Sequence, residues 1–198
     1  VQGLRGQAGR IGGRRGVELE QAQRRVLGLV EAVGDALEHM RLDRHALRAV
    51  VDRFKAKGLT PVCAMELEFF LIDDSGKTMQ VPASPRSGKR RKASETLSIR
   101  ALDAFDTFFT DLYDACEAMD IPADTTTSET GLGQFEVNLM HCDDPLRAAD
   151  DAWLFKMLVK GLARRHGFAA TFMAKPYAEY SGSGLHTHFS IVDEKGDN

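Results

Sequence analysis

From Cys63 to Ile72 the chain alternates in character with a period of two, and this pattern constrains the fold more than any other feature. As a strand, it turns Cys63, Met65, Leu67, Phe69 and Leu71 to one side and Ala64, Glu66, Glu68, Phe70 and Ile72 to the other. The first side is apolar and demands a covering layer. The second carries two acids whose carboxylates point the same way. Like charges held that close repel, so they share a proton, hold a cation between them, or sit on a solvated face. An E-x-E pair alone does not decide among these.

The flanking segments supply the covering layer. Leu47, Val50, Val51 and Phe54 recur at helical spacing before Gly58 and Pro61, which stop a helix. Residues 73 to 98 are rich in Ser, Pro, Gly and basic side chains and read as a long loop. Leu102, Phe105, Phe109, Leu112, Cys116 and Met119 predict one helix of about five turns, ended by Ile121 and Pro122. A short polar strand from Asp124 to Ser128 enters a turn at Gly131 and Gly133. A second strand leaves it from Gln134 to His141, with Phe135, Val137 and Leu139 alternating with Glu136 and Asn138. Asp144 as N-cap, Pro145 at the first helical position and Gly167 as stop delimit a further helix carrying Trp153, Leu154, Met157, Leu158 and Leu162. Strands are expected over Phe168 to Met173 and Leu185 to Val192. The order β, α, β, β, α, β, β predicts an α+β domain with helices against one sheet face.

Residues 1 to 43 differ in kind. The first 16 hold six glycines and four arginines with no acid, and no lysine occurs before Lys55. This stretch reads as an unmatched extension, disordered or partly helical, with the glycine and arginine bias of a misread GC-rich gene. Residues 44 to 198 form the coherent domain. Overall, 26 basic and 29 acidic residues are mixed along the chain, giving a net charge of -3. Such a mixture argues against nucleic acid or a membrane surface as partner. No apolar run is long enough to cross a bilayer. Cys63, Cys116 and Cys142 are widely spaced, so neither a disulfide framework nor a zinc cluster is expected, and a reducing cytoplasm is the expected compartment.

Chemistry enters where separate strands converge. His186 and His188 form an H-x-H pair with Ser190 on the same side, and Glu129 and Glu136 flank the glycine turn in S-E-T-G-L-G-Q-F-E. With Glu66 and Glu68, that makes four glutamates and two histidines on the polar faces of three strands. One acid-lined cavity explains them together, and oxygen-rich ligands with a minority of imidazole suit Mg²⁺ or Mn²⁺.

The runs G-Q-F-E-V-N-L at Gly133 to Leu139, T-F-M-A-K-P at Thr171 to Pro176 and G-S-G-L-H at Gly182 to His186 resemble the catalytic domain of the glutamine synthetase family. The likeness is strongest to its γ-glutamylputrescine and γ-glutamylpolyamine synthetase branch and covers residues 44 to 198. The resemblance implies a largely antiparallel sheet with packed helices. It also implies a ligase that uses ATP and Mg²⁺ or Mn²⁺ to join the γ-carboxylate of glutamate to an amine through a γ-glutamyl phosphate. By that resemblance Glu68, Glu129 and Glu136 would hold the metal beside the amino-acid substrate, with Glu136 central to catalysis. Glu66 and His186 would hold the metal on the ATP phosphates, His188 and Ser190 would meet the nucleotide, and Gly182 would offer a backbone contact to glutamate. Large homo-oligomers are implied as well.

Ser181 stands where ordinary glutamine synthetases carry Asn before G-S-G, and the glutamates of the glycine turn lie one residue closer together than in those enzymes. Both departures lean towards polyamines over ammonia. The family's downstream arginines and upstream small β-domain have no counterpart in these 198 residues. The chain alone is therefore expected to be an inactive fragment, and the alternative is a truncated, non-catalytic metal-binding piece. An amidohydrolase-like reading of H-x-H is disfavoured, because that pair belongs on an early strand with more His and Asp downstream.

Overall fold

The computed structural model describes residues 44–93 and 96–198, and the extension expected over residues 1 to 43 lies outside the described residues. Residues 44–55 are helical (α1), and Gly58 follows at φ 67°, the left-handed backbone that glycine adopts without penalty. Of the apolar positions at helical spacing, Val51 is buried and Phe54 sets its ring edge-on to Phe189 at 6.0 Å, whereas Val50 is exposed.

The remaining elements are β1 (Thr60–Ile72), α2 (Ile99–Asp103), α3 (Asp106–Ala118), β2 (Ala123–Ser128), β3 (Gln134–Leu139), α4 (Pro145–Arg165), β4 (Ala169–Thr171) and β5 (Leu185–Val192). The domain is α+β. β1 is the axis of a five-stranded sheet in which every pairing is antiparallel. Glu66 and Leu67 pair with both β3 and β5, and Phe70 pairs with both β3 and β4. A strand has only two edges, so β3 and then β2 extend the sheet on one side, while β5 and β4 share the other in tandem.

That sharing explains one departure from the sequence pattern. A strand was expected from Phe168 to Met173, but β4 has three residues, because β5 already occupies β1 from Thr60 to Leu67 and leaves only Phe70 to Ile72 free.

The two faces of β1 separate as its alternation requires. Leu67, Phe69 and Leu71 join Phe135, Val137 and Leu139 of β3 beneath α3 and α4, in a core that also takes Phe108, Leu112, Phe155, Val159 and Leu162. Phe70 and Ile72 lie on the opposite face with Ala169, Tyr177 and Tyr180. Buried phenylalanines dominate this core and interlock edge-on, as with Phe109 and Phe135 at 5.0 Å between centroids.

Two helices depart from expectation. The predicted five-turn helix is broken: α2 ends at Asp103, and Phe105, at φ -128° and ψ 28°, forms the N-cap of α3. The break lets Phe105 point inward, 1% exposed and edge-on to both Phe135 and Phe168. Apolar periodicity runs through the break because both pieces bury the same side. At the far end α3 stops at Ala118, Met119 is 45% exposed, and Asp120 takes φ 56°.

In α4 the cap is as expected: Asp144 Oδ1 accepts from the backbone N–H groups of Leu146 and Arg147 at 3.0 and 3.4 Å, and Gly167 closes the C-terminus at φ 81°. Its buried stripe, however, is Ala152, Phe155, Val159, Leu162 and Ala163, while Trp153 and Met157 face outward. Among the described residues, no helix is long and apolar enough to cross a membrane.

Candidate metal centre

Strand register builds the site on the sheet face away from the helices. Glu66 stands between Asn138 of β3 and His186 of β5, its Cα partners on either side, and Glu68 stands opposite Glu136. His188 and Ser190 share this face, paired with Ala64 and Val62.

Contacts among these side chains are close. Glu66 Oε2 meets His186 Nδ1 at 3.1 Å, and Glu66 Oε1 meets His188 Nε2 at 2.6 Å. One carboxylate oxygen each from Glu66 and Glu136 and one ring nitrogen of His186 lie within 4.8 Å of one another. Burial pushes the Glu136 carboxyl up from its ordinary value, and the charges of Glu66, Glu129 and Glu68 add to that, with His186 partly offsetting them. Glu129 lies at the mouth of the glycine turn, where its Oε1 accepts from Thr127 Oγ1 at 3.3 Å and its backbone N–H donates to Gln134 O at 2.9 Å. Glu68 and Glu129 stand near enough for their charges to act on Glu136, beside the closer group of Glu66, Glu136 and His186. Ser190 lies farther along β5, half-buried beyond His188.

Glycines bring the backbone into this space. A Cβ at Gly182 would lie 2.6 Å from Ala174 O, and one at Gly184 would lie 3.2 Å from Glu68 Oε1 and 3.4 Å from His186 Nε2. Gly182 therefore packs its main chain against the F-M-A-K-P segment, and Ser183 N–H donates to Ala174 O at 2.9 Å.

Two residues of the site escaped the sequence pattern. Gln134, 2% exposed, donates through Nε2 to Glu68 Oε2 and to Gly182 O, both at 2.9 Å, and accepts from Gly131 N–H at 2.9 Å. One amide thus ties the acidic strand, the glycine turn and the G-S-G loop together. Asn138 donates through Nδ2 to Glu66 Oε1 at 3.4 Å. Both lie at even positions of an alternating strand whose other even member is Glu136, which is the signal that could have found them.

Carboxylate oxygens with one imidazole, poised within 4.8 Å, are a donor set that fits a hard divalent cation. The family "Glutamine synthetase, catalytic domain" matches residues 41–198, and the chain belongs to the glutamine synthetase family.

Among curated relatives, it is 40% identical over 158 residues to gamma-glutamylputrescine synthetase PuuA of Escherichia coli (strain K12), covering 78% of this chain and 34% of that one. It is 34% identical over 153 residues to glutamate–isopropylamine ligase of Pseudomonas sp, covering 77% and 33%. The glutamine synthetase of Thermotoga maritima is 32% identical over 154 residues, covering 78% and 33%. Of solved structures, the GmaS/ADP complex superposes with a TM-score of 0.68 at 34% identity, over 78% of this chain and 34% of that one. The chain therefore spans about a third of the length of the relatives it matches.

Proposed function

We propose that this domain serves the ATP-dependent joining of glutamate's γ-carboxylate to an amine through a γ-glutamyl phosphate. The observation that carries the proposal is the convergence of Glu66, Glu136 and His186, from three different strands, within 4.8 Å. Glu68, Glu129 and Glu136 would hold a cation beside glutamate, and Glu66 with His186 would hold one beside the ATP phosphates. Divalent ions bound there, Mg²⁺ or Mn²⁺, supply charge neutralisation to phosphate and carboxylate oxygens.

The chain's own residues do the positioning. Glu136, whose carboxyl burial pushes up from its ordinary value, would sit beside the reacting carboxylate as the central catalytic side chain. Gly182 offers main chain to glutamate, and His188 and Ser190 line the approach for the nucleotide. No nucleophilic Ser-His-Asp set is required, since phosphoryl transfer depends mainly on orientation and electrostatics. The free thiols of Cys63, Cys116 and Cys142 support a reducing compartment, the cytoplasm. Homo-oligomeric assembly, as the resemblance implies, belongs to the same proposal.

The amine is proposed to be a polyamine or alkylamine in preference to ammonia. Ser181 ahead of G-S-G and the shortened glycine turn support this, as do relatives named for putrescine and isopropylamine.

The test measures phosphate release from ATP and glutamate by the protein carrying this domain, with Mg²⁺, across putrescine, isopropylamine and ammonia. Amine-dependent release that collapses in Glu136→Ala is expected. Release that ignores the amine would overturn the ligase proposal, and use of ammonia alone would overturn the amine assignment.

A further inference from the structure

Glu66 presents its two oxygens unequally. Among the described residues Oε2 meets His186 Nδ1, at 3.1 Å, whereas Oε1 meets His188 Nε2 at 2.6 Å and Asn138 Nδ2 at 3.4 Å. The orientation of the Asn138 amide follows from charge: a carbonyl oxygen turned to Glu66 Oε1 would be repelled, so Nδ2 faces the carboxylate. Asn138 Oδ1 is then left buried with no hydrogen-bond partner among the described residues. Buried acceptors are seldom left unpaired, and the Nδ2 contact to Glu66 is what holds the amide in this orientation.

We propose that Asn138 is a positioning residue of the cation site: its Nδ2 holds Glu66 Oε1 and so fixes the carboxylate that, with His186, would hold a divalent cation. The inference rests on the cation-binding role proposed for Glu66 and His186. By fixing Oε1, Asn138 and His188 leave Oε2 directed towards His186. Residues that orient metal ligands in this way commonly change affinity by one to two orders of magnitude when removed.

Mn²⁺ is titrated calorimetrically into the unaltered chain, Asn138→Leu, Asn138→Ala and Glu66→Gln, and each metal-free melting temperature is measured. Both Asn138 variants should bind Mn²⁺ roughly tenfold more weakly. Their metal-free melting temperatures should hold or rise, because an unpaired buried amide oxygen is gone, and the visible absorption of bound Co²⁺ should shift. If both Asn138 variants bind like the parent while Glu66→Gln does not, Asn138 has no part in the site. Weakened binding that merely follows a lowered metal-free melting temperature in both variants would likewise overturn the proposal. If all four chains bind alike, it is the cation role of Glu66 and His186 that fails.

Discussion

Glu136 lies directly across the β1–β3 ladder from Glu68, as its Cα partner, on the sheet face turned away from the helices. An antiparallel pair places such side chains near contact, so two carboxylates at that register repel in the ionised state.

A pH dependence follows. The folded-state pKa of Glu136 is raised above its ordinary value of 4.5, chiefly by burial and then by Glu66, Glu129 and Glu68. Between the unfolded and folded pKa values the folded chain binds more protons than the unfolded one, so stability falls as pH rises through that window and levels off above it. In metal-free buffer, urea midpoints should therefore decline from about pH 4.5 upward. Glu136→Gln, neutral throughout, should show a shallower decline. Identical profiles for the two chains would mean that Glu136 is not the strained group.

Gln134 should be expensive to replace. Its amide meets Glu68, Gly131 and Gly182 from a site 2% exposed, so Gln134→Leu leaves a carboxylate, an N–H and a carbonyl short of partners. Loss of such bonds to charged and buried groups costs on the order of 2–3 kcal/mol. Equilibrium urea unfolding reads this directly, and a change below about 0.5 kcal/mol, the scatter of ordinary surface substitutions, would contradict it.

Two glycines should respond in opposite directions to alanine. At Gly131 a Cβ would lie 2.5 Å from Phe70 Cε1 and 2.7 Å from Gln134 Oε1, so Gly131→Ala forces a buried ring and the Gln134 amide to move. Overpacking of that kind costs about 1–3 kcal/mol. Gly161 lies exposed within α4 with nothing inside 4 Å of an added Cβ, so Gly161→Ala should stabilise by about 1 kcal/mol through helix propensity alone. Melting temperatures of both variants, taken side by side, check the sign of each.

A final prediction concerns Gly184, whose added Cβ would lie 3.2 Å from Glu68 Oε1 and 3.4 Å from His186 Nε2. Gly184→Ala should weaken Mn²⁺ binding by pushing apart two of the side chains that converge there. Its effect on the metal-free melting temperature should be smaller than that of Gly131→Ala, since it crowds half-open polar groups instead of a buried ring. Calorimetric titration and thermal melts on the same preparations test both halves, and unaltered Mn²⁺ affinity would count against a cation at this place.

By itself the sequence determined whatever depends on neighbours a few residues away. Alternation along β1 and β3 set which side chains share a face, because successive residues of a strand point to opposite sides however the strand is paired. Asp144, Pro145 and Gly167 fixed both ends of α4, because capping satisfies backbone groups within a turn. Tertiary structure decided the rest. That Glu66 falls between Asn138 and His186, over 70 and 120 residues apart in the chain, is set by long-range register. No local periodicity encodes it. Packing likewise broke the aromatic helix at Phe105, whose ring fills the space between Phe135 and Phe168, and turned Phe155 instead of Trp153 into the core. Gln134 read as an ordinary polar strand residue until folding placed three separate segments around its amide. Its importance is geometric, and geometry of that kind exists only once the sheet has closed.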